Sequence, residues 1–325
     1  MIYLNRNDVI SLLDMPACIE STRSAFEAVA SGEVQSPQRT VIRMEDRPGF
    51  FGSMPIYAPG YGSAAKVMTI YPGNRDVGLE SHQGFITLFE VEHGAPVALI
   101  EAGSITELRT AAVSGLATDL LGNPGESVLC ILGSGVQARS HVKAIKCVRD
   151  LSRIQVWSRT PAHADDFGEW AREETGQSVV VCETAEDALK QANIVCTVTS
   201  AKEPIVARGW VAEGCHLNVV GSFTPNAREL DTETIASSRL FVDSRESALN
   251  ESGDIVIPKE EGTIDDAHIV AELCDLVTGQ VSGRDLKEEV TVFKSLGLAV
   301  EDLVAAKAVY DRAVGAGVGT VISER

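Results

Sequence analysis

The stretch VLCILGSGVQARSH, residues 128–141, combines an apolar run with a glycine-rich turn. Its apolar first part predicts a strand, which runs into Gly133, Ser134 and Gly135 before a helix begins. In the pattern G-x-G-x-x-A, Gly133 suits a tight turn, Gly135 lets the backbone approach a pyrophosphate, and Ala138 permits close helix-to-strand packing. The N-terminus of the helix would face the anion. The stretch therefore predicts a strand–turn–helix unit that binds a dinucleotide.

Strands and helices alternate after this unit. The predicted strands are SVLCIL, RIQVWS (153–158), SVVVCE (178–183), NIVCTVT (193–199), HLNVVG (216–221) and RLFVDS (239–244), with helices at about 137–148 and 162–174. Such alternation is typical of a doubly wound parallel sheet. The rhythm also disfavours the alternative in which the glycines form a turn that binds nothing.

The residues before the glycine turn show a different pattern. They predict a helix at 16–31 that ends at Gly32, strands at 38–44 and 64–71, a hairpin at 84–101 that turns at His93 and Gly94, and a capping box, SITE at 104–107, ahead of a second helix. A long helix is predicted within 292–317. The fold class is therefore α/β, with a Rossmann doubly wound parallel sheet domain and a mixed α+β domain.

Composition limits the classes of partner. The 325 residues suit two domains, and 28 Lys and Arg against 46 Asp and Glu give a net charge of −18, which disfavours nucleic acid and anionic membranes. Seven scattered cysteines without a C-x-x-C pair, and no signal or membrane-spanning pattern, predict a cytoplasmic protein. No His and carboxylate spacing indicates a metal site. An anionic small ligand must therefore be bound by local cationic side chains.

The end of the second strand favours NADP(H), with NAD(H) as the alternative. An acid there would bind the ribose hydroxyls of NAD, but the chain reads VWSRT at 156–160. Arg159, flanked by Ser158 and Thr160, can neutralise and hydrogen-bond a 2′-phosphate. The alternative is that Arg159 is a solvated loop residue. The full set of predicted dinucleotide contacts is Gly133, Ser134, Gly135, Val136, Gln137, Ser158, Arg159, Thr160, Thr197, Val198, Thr199 and Gly221.

Five stretches, taken together with the glycine turn, carry a family resemblance. They are KVMTIYPGN (66–74), ITELRTAAVSGLATDL (105–120), ILGSGVQARSH (131–141), VVGSFTPNARELD (219–231) and VFKSLGLAVEDL (292–303). Through them the chain resembles the ornithine cyclodeaminase and mu-crystallin family over nearly its full length. The resemblance implies a homodimer, with a substrate-binding and dimerisation domain at 1–121 and 300–325, a dinucleotide-binding domain at 122–299, and the active cleft between them.

The resemblance also implies three cations around the substrate, at Arg39, Lys66 and Arg109. Each is unusual in its own right. Arg39 starts a strand, Lys66 interrupts an apolar strand where an unpaired ammonium is unfavourable, and Arg109 lies in the early turns of a helix, where a cation is disfavoured. A bound carboxylate would resolve all three, and internal salt bridges are the alternative. His82 and Asp302 are weaker candidates, with surface exposure, helix capping or a salt bridge as their alternatives.

One position separates the chemistries that the family contains. By resemblance, cyclodeaminases carry an Asp directly after the Gly that ends the stretch HLNVVG, whereas this chain has Ser222, which cannot act as a carboxylate base. We therefore expect NAD(P)H-dependent reduction of a small cyclic imine 2-carboxylate, with Arg39 and Arg109 binding the carboxylate, and Lys66, Ser222 or water supplying hydrogen bonds and the proton. The alternatives are an ornithine cyclodeaminase, an alanine-type amino-acid dehydrogenase, and an NADPH-binding protein without catalysis.

Overall fold

The computed structural model describes residues 1–322, the side chains of residues 75 and 76 excepted. The chain begins with β1 (Ile2–Leu4), α1 (Arg6–Leu12), α2 (Met15–Ala30), β2 (Thr40–Arg43), β3 (Phe50–Ala58), β4 (Gly62–Ile70), β5 (His82–Phe89), β6 (Pro96–Glu101) and α3 (Ala102–Leu121). It continues with β7 (Ser127–Leu132), α4 (Val136–Val148), β8 (Leu151–Trp157), α5 (Pro161–Thr175), β9 (Ser178–Val181), α6 (Ala185–Leu189), β10 (Ile194–Thr197), β11 (His216–Val219), α7 (Thr232–Ala236) and β12 (Arg239–Val242). The last elements are α8 (Arg245–Glu251), α9 (Gly253–Glu260), β13 (Ile269–Glu272), α10 (Leu273–Val277), β14 (Thr291–Lys294), α11 (Ala299–Ala316) and β15 (Thr320–Val321). No helix in the described residues is both long and apolar enough to cross a membrane.

The described chain divides into two compact units. Unit 1 comprises residues 1–109 and the chain from 298 onward, and unit 2 comprises residues 110–297. The predicted domain boundaries lie at 121/122 and 299/300, whereas the first boundary between the compact units lies inside α3, between Arg109 and Thr110. Residues 323–325 of the predicted first domain lie outside the described residues.

Unit 2 is built on an eight-stranded sheet in the order β13-β12-β14-β11-β10-β7-β8-β9. Every strand pair described in it is parallel. From β7 the chain adds β8 and β9 on one side and then crosses back to place β10 on the other, so the strand order reverses at β7. Ligands of open parallel sheets bind at the carboxyl ends of the strands beside such a reversal. The predicted α/β class with a doubly wound sheet is confirmed.

Two strands of this sheet were missed. β14 occupies TVFK at 291–294, the beginning of a stretch in which the sequence analysis predicted only a long helix, and that helix, α11, begins at Ala299. Thr, Val and Phe favour a strand, and Gly297, at φ +83°, separates the strand from the helix. β13, at Ile269–Glu272, was also not predicted.

Unit 1 is built on a seven-stranded mixed sheet in the order β15-β1-β6-β5-β4-β3-β2. β1 pairs with β6 in parallel, and β2 to β6 form an antiparallel series. Residues alternate between two faces: Lys66 and Ile86 are buried on the face against which α11 packs, whereas Val67 and Phe85 lie exposed on the other. β3 was missed because Gly and Pro interrupt its sequence, FFGSMPIYA.

The predicted capping box at 104–107 is wrong. Helix α3 begins at Ala102, and the carboxylate of Glu101 accepts hydrogen bonds from the backbone N–H groups of Gly103 at 2.6 Å and Ser104 at 2.8 Å. The Ser104 hydroxyl donates to the same carboxylate at 2.6 Å. An earlier acid therefore caps the helix, because a carboxylate binds the first N–H groups more strongly than a neutral hydroxyl does.

Candidate active site

Lys66 is a buried cation in the centre of the unit 1 sheet. It lies in the middle of β4, and its side chain is 2% exposed. Its Nζ atom lies 3.1 Å and 3.3 Å from the two carboxylate oxygens of Asp302, in the first turn of α11. The ammonium that the sequence marked as unfavourable in an apolar strand is therefore paired with a carboxylate of the same chain.

Arg109 shares that carboxylate. Its Nε atom donates to Asp302 at 3.1 Å, and its Nη1 atom donates to Glu301 at 2.9 Å. Two acids suit the first turn of α11, because the N-terminus of a helix favours negative charge. Lys66, Arg109, Glu301 and Asp302 are all buried, and we call these four residues the ion cluster.

Burial and neighbouring charges shift the pKa values of Lys66 and Asp302 in the ion cluster. Burial lowers the pKa of Lys66 to about 8, and the positive charges of Arg109 and Arg39 act in the same direction, while Asp302 opposes them. Burial works to raise the pKa of Asp302, but Arg109 and Lys66 outweigh it and hold that pKa below its ordinary value. The cluster thus contains an ammonium that can release a proton near neutral pH beside a carboxylate that stays ionised.

Arg39 lies on the same face of the sheet as Lys66. It directly precedes β2, and the register of Thr40 with Ser53, and of Met54 with Lys66, places it in line with Lys66. Arg39 is half-buried, and its charge contributes to the lowered pKa of Lys66. The structure therefore brings the three predicted cations to one face.

Acids of the same chain pair with two of these cations. Lys66 and Arg109 form salt bridges with Asp302 and Glu301, which is the alternative that the sequence left open for them. Asp302 is a salt-bridge residue of the cluster. His82 is exposed at the start of β5, with its Nδ1 atom 3.2 Å from the Ser81 hydroxyl, and is not part of the cluster.

In unit 2, the glycine turn has the shape that the sequence predicted. Gly133 has φ +125°, and a Cβ atom there would lie 2.8 Å from the carbonyl oxygen of Val198. Gly135 is the N-cap of α4 and provides no side-chain hydrogen bond to the first N–H groups of that helix. Val136 and Gln137 begin α4, and Ala138, the next residue of that helix, is fully buried. The turn thus presents backbone N–H groups that can donate hydrogen bonds to an anion.

The end of β8 is joined to this turn. The Ser134 hydroxyl donates to the Ser158 hydroxyl at 2.9 Å. Arg159 and Thr160 follow and are exposed at the N-terminus of α5. The predicted set of Ser158, Arg159 and Thr160 therefore borders the glycine turn within unit 2, and its arginine is accessible to a ligand.

Glu229, which no sequence pattern singles out, holds several of the remaining predicted contacts together. Its side chain is fully buried and accepts hydrogen bonds from Thr197, Thr199 and the backbone N–H of Gly221. Burial and nearby Asp254 raise the pKa of Glu229 above its ordinary value, and Lys294 and the threonine hydroxyls only partly oppose this shift. Nothing in ARELD marks this acid as buried, because no periodicity distinguishes it from the polar residues around it.

Ser222 is buried in a second polar network of unit 2. Its hydroxyl donates to the carbonyl oxygen of Ala227, and its own carbonyl accepts from the ammonium of Lys294. Lys294 also pairs with Asp254 at 3.0 Å. The Ser222 hydroxyl, a predicted proton donor to the substrate, thus donates its hydrogen to the backbone instead. Its oxygen can still accept a hydrogen bond.

Comparison with known proteins agrees with this architecture. The model of the ornithine cyclodeaminase/mu-crystallin family matches residues 1–317. The chain is 41% identical to the ketimine reductase mu-crystallin of Mus musculus over 93% of this chain and 92% of that protein. Among solved structures, it is similar to the Δ1-pyrroline-2-carboxylate reductase of Thermococcus litoralis in complex with NADH and L-proline, with 42% identity, a TM-score of 0.97, and coverage of 99% and 100%. It is also similar to an archaeal alanine dehydrogenase dimer with bound NAD, with 31% identity, a TM-score of 0.94, and 99% coverage of each chain. The resemblance seen in the sequence is confirmed, and the chain belongs to the ornithine cyclodeaminase/mu-crystallin family.

Proposed function

We propose that the protein reduces small cyclic imine 2-carboxylates, such as pyrroline-2-carboxylate or piperideine-2-carboxylate, to the corresponding L-amino acid with NAD(P)H. The observation that carries this proposal is buried Lys66, whose pKa of about 8 suits a proton donor. Two relatives support it, because one is named a ketimine reductase and the other was solved with NADH and L-proline.

The residues of unit 2 fit a dinucleotide. The turn at Gly133 leaves no room for a Cβ atom, and the uncapped N-terminus of α4 offers N–H groups to a pyrophosphate. When bound, the reduced nicotinamide would supply a hydride to the imine carbon.

The residues of unit 1 then have two tasks. Lys66 gives a proton to the imine nitrogen as the C=N bond becomes an amine, and solvent returns that proton to Lys66. Asp302 holds the ammonium in place at 3.1 Å. The ion cluster alone carries two positive and two negative charges, and the positive charge of Arg39 acts on Lys66 from outside the cluster. We assign Arg39 and Arg109 to the substrate carboxylate.

The direct test is a substrate panel. Purified protein and NADPH are mixed with pyrroline-2-carboxylate, piperideine-2-carboxylate, or pyruvate plus ammonia, and loss of the nicotinamide absorbance is followed. The proposal expects the cyclic imines to give the highest kcat/KM. No turnover of either imine would end it, and a clear preference for pyruvate plus ammonia would establish the alanine dehydrogenase alternative, which the archaeal relative favours.

A cyclodeaminase is the weaker alternative. That reaction needs a base for the distal amine, and the hydroxyl of Ser222 donates to the Ala227 carbonyl instead. Ornithine with a catalytic amount of NAD should therefore release no ammonia, whereas a cyclodeaminase would release it.

The preference for NADP over NAD is part of the proposal, and it depends on Arg159. Replacing Arg159 with Ala should weaken NADPH binding about tenfold and leave NADH binding nearly unchanged, because only NADPH has the 2′-phosphate that a guanidinium binds. Fluorescence titration of both cofactors measures the ratio. Lys190→Ala, which removes an exposed cation of the same unit that is paired with Asp187, is the control. An equal loss of affinity for the two cofactors would show that Arg159 does not bind the 2′-phosphate.

The pH dependence of the reaction follows from Lys66. The Lys66 amine has a pKa of about 8, so it is protonated below that pH and loses its proton as the pH rises through 8. We expect kcat/KM for imine reduction to be constant on the acid side and to fall about tenfold per pH unit well above 8. Initial rates across the neutral and alkaline range measure this. A profile that rises through pH 8 would contradict Lys66 as the acid.

We also propose that the protein is a homodimer. Tyr57, Val67 and Phe85 are between 37% and 44% exposed on the sheet face opposite Lys66. Exposed apolar patches of this kind mark protein interfaces, and the archaeal alanine dehydrogenase relative is described as a dimer. The molar mass in solution, measured by light scattering, tests this assignment.

A further inference from the structure

We propose that Glu229 is the positioning residue for the nicotinamide end of the cofactor site in unit 2. It acts by locking together the chain segments that follow β10 and β11. This inference rests on the proposed cofactor binding and adds to it a residue that contacts neither substrate nor the reacting atoms.

The topology assigns the two halves of the cofactor to different strands. The glycine turn follows β7, and β8 and β9 lie on one side of it, with Arg159 at the end of β8. β10 and β11 lie on the other side. A dinucleotide bound at a reversal of strand order places one nucleotide over each half of the sheet. If Arg159 binds the adenosine half, the ends of β10 and β11 receive the nicotinamide half.

Glu229 fastens these two strand ends to each other. Its Oε1 atom accepts from the N–H of Thr199 at 2.9 Å and from the Thr199 hydroxyl at 2.6 Å. Its Oε2 atom accepts from the Thr197 hydroxyl at 2.7 Å and from the N–H of Gly221 at 2.8 Å. One carboxylate therefore fixes the last residue of β10 and the residues two positions after the ends of β10 and β11.

The contact between the two segments is close. A Cβ atom on Gly221 would lie 2.2 Å from the carbonyl oxygen of Thr199 and 2.5 Å from Oε1 of Glu229, so only glycine fits there. The backbone of Glu229 is itself held, since its N–H donates to Asp254 at 2.8 Å. Asp254 pairs in turn with Lys294 at the end of β14. Glu229 is therefore held in place by Asp254, and its carboxylate in turn holds the segments that follow β10 and β11.

The site requires a carboxylate in particular. Each oxygen accepts from one backbone N–H, of Thr199 or of Gly221, and a backbone N–H cannot reverse its role. In Glu229→Gln, the new NH₂ group must face one of those N–H groups, whichever way the amide is turned. One segment is then released, although the size of the side chain is unchanged.

The experiment compares two ligands. NADPH contains both halves of the cofactor, and 2′-phospho-ADP-ribose lacks the nicotinamide. We expect Glu229→Gln to weaken NADPH binding about tenfold and to leave binding of 2′-phospho-ADP-ribose within about twofold of the wild type, because an unpaired buried donor disturbs only the nicotinamide side. Glu289→Gln is the matched control: Glu289 also accepts backbone N–H bonds, from Asp285 and Leu286, but through a single oxygen that the amide can keep.

A second pair of variants keeps the inference testable if Glu229→Gln does not fold. Thr197 is fully buried, and its hydroxyl donates to Glu229. Thr197→Val should weaken NADPH binding about threefold without affecting the fragment, and Thr197→Ser should restore it. Equal effects on the two ligands, or no effect on either, would overturn the role of Glu229. If the wild type binds neither ligand, the proposed cofactor site itself fails.

Discussion

Replacing Lys66 with Met should lower kcat for imine reduction by about a thousandfold, the usual contribution of a positioned general acid. Met has a similar length, so the packing on β4 is kept while the proton donor is lost. Asp302 keeps a partner in Arg109 at 3.1 Å, which limits the damage to the fold. Steady-state rates with piperideine-2-carboxylate and NADPH measure the loss.

Two further measurements give this prediction its specificity. NADPH affinity should be unchanged in Lys66→Met, because Gly133 and Arg159 belong to unit 2. Lys307→Met is the matched control, since Lys307 lies on α11 and pairs with Asp311 at the surface. If Lys66→Met keeps a tenth or more of the wild-type kcat, another group donates the proton.

Asp302→Asn should destabilise the protein by about 3–5 kcal/mol, the usual effect of breaking a buried ion pair by removing one partner. Of the two acids of the ion cluster, only Glu301 would then remain, and it contacts Arg109. Deprived of the carboxylate that opposes its desolvation, Lys66 should have a still lower pKa. Urea unfolding, followed by fluorescence and by circular dichroism, measures the free energy of unfolding.

The pH dependence of stability separates this effect from a packing defect. The pKa of Asp302 is lowered in the fold, so its contribution is present above the unfolded-state pKa and is lost as the pH falls through the folded-state value. The stability difference between wild type and Asp302→Asn should therefore shrink in acid. Asp311→Asn, on the exposed side of the same helix, should change stability by less than about 0.5 kcal/mol. A difference that stays constant down to strongly acidic pH would contradict the ionic origin.

The sequence predicted those features that repeat or that need a particular residue. The strands and helices of unit 2 follow from their alternation, and the turn at Gly133 follows from a backbone conformation that other residues rarely adopt. The family resemblance singled out Arg39, Lys66 and Arg109, and a cation is unfavourable where Lys66 and Arg109 lie. The family resemblance gave these positions a common purpose.

The remaining features depend on tertiary pairing, which a single sequence does not display. Glu229 and Asp302 are acids with ordinary neighbours, and their importance lies in partners that are distant along the chain. Strand β14 was missed because Lys294, buried in its last position, breaks the apolar pattern, and its partner Asp254 is on another element. The helix start was misplaced because Ser104 fits the capping rule as well as Glu101 does.

The return of α11 to the unit 1 sheet has a consequence for biosynthesis. Lys66 and Asp302 are 236 residues apart, and all of unit 2 is translated between them. While the ribosome is still extending the chain, the nascent first segment carries an unpaired Lys66 in an incomplete core. The whole sequence of unit 2 is translated before that of unit 1 is complete. We therefore expect unit 2 to fold before unit 1, although most of unit 1 is translated first.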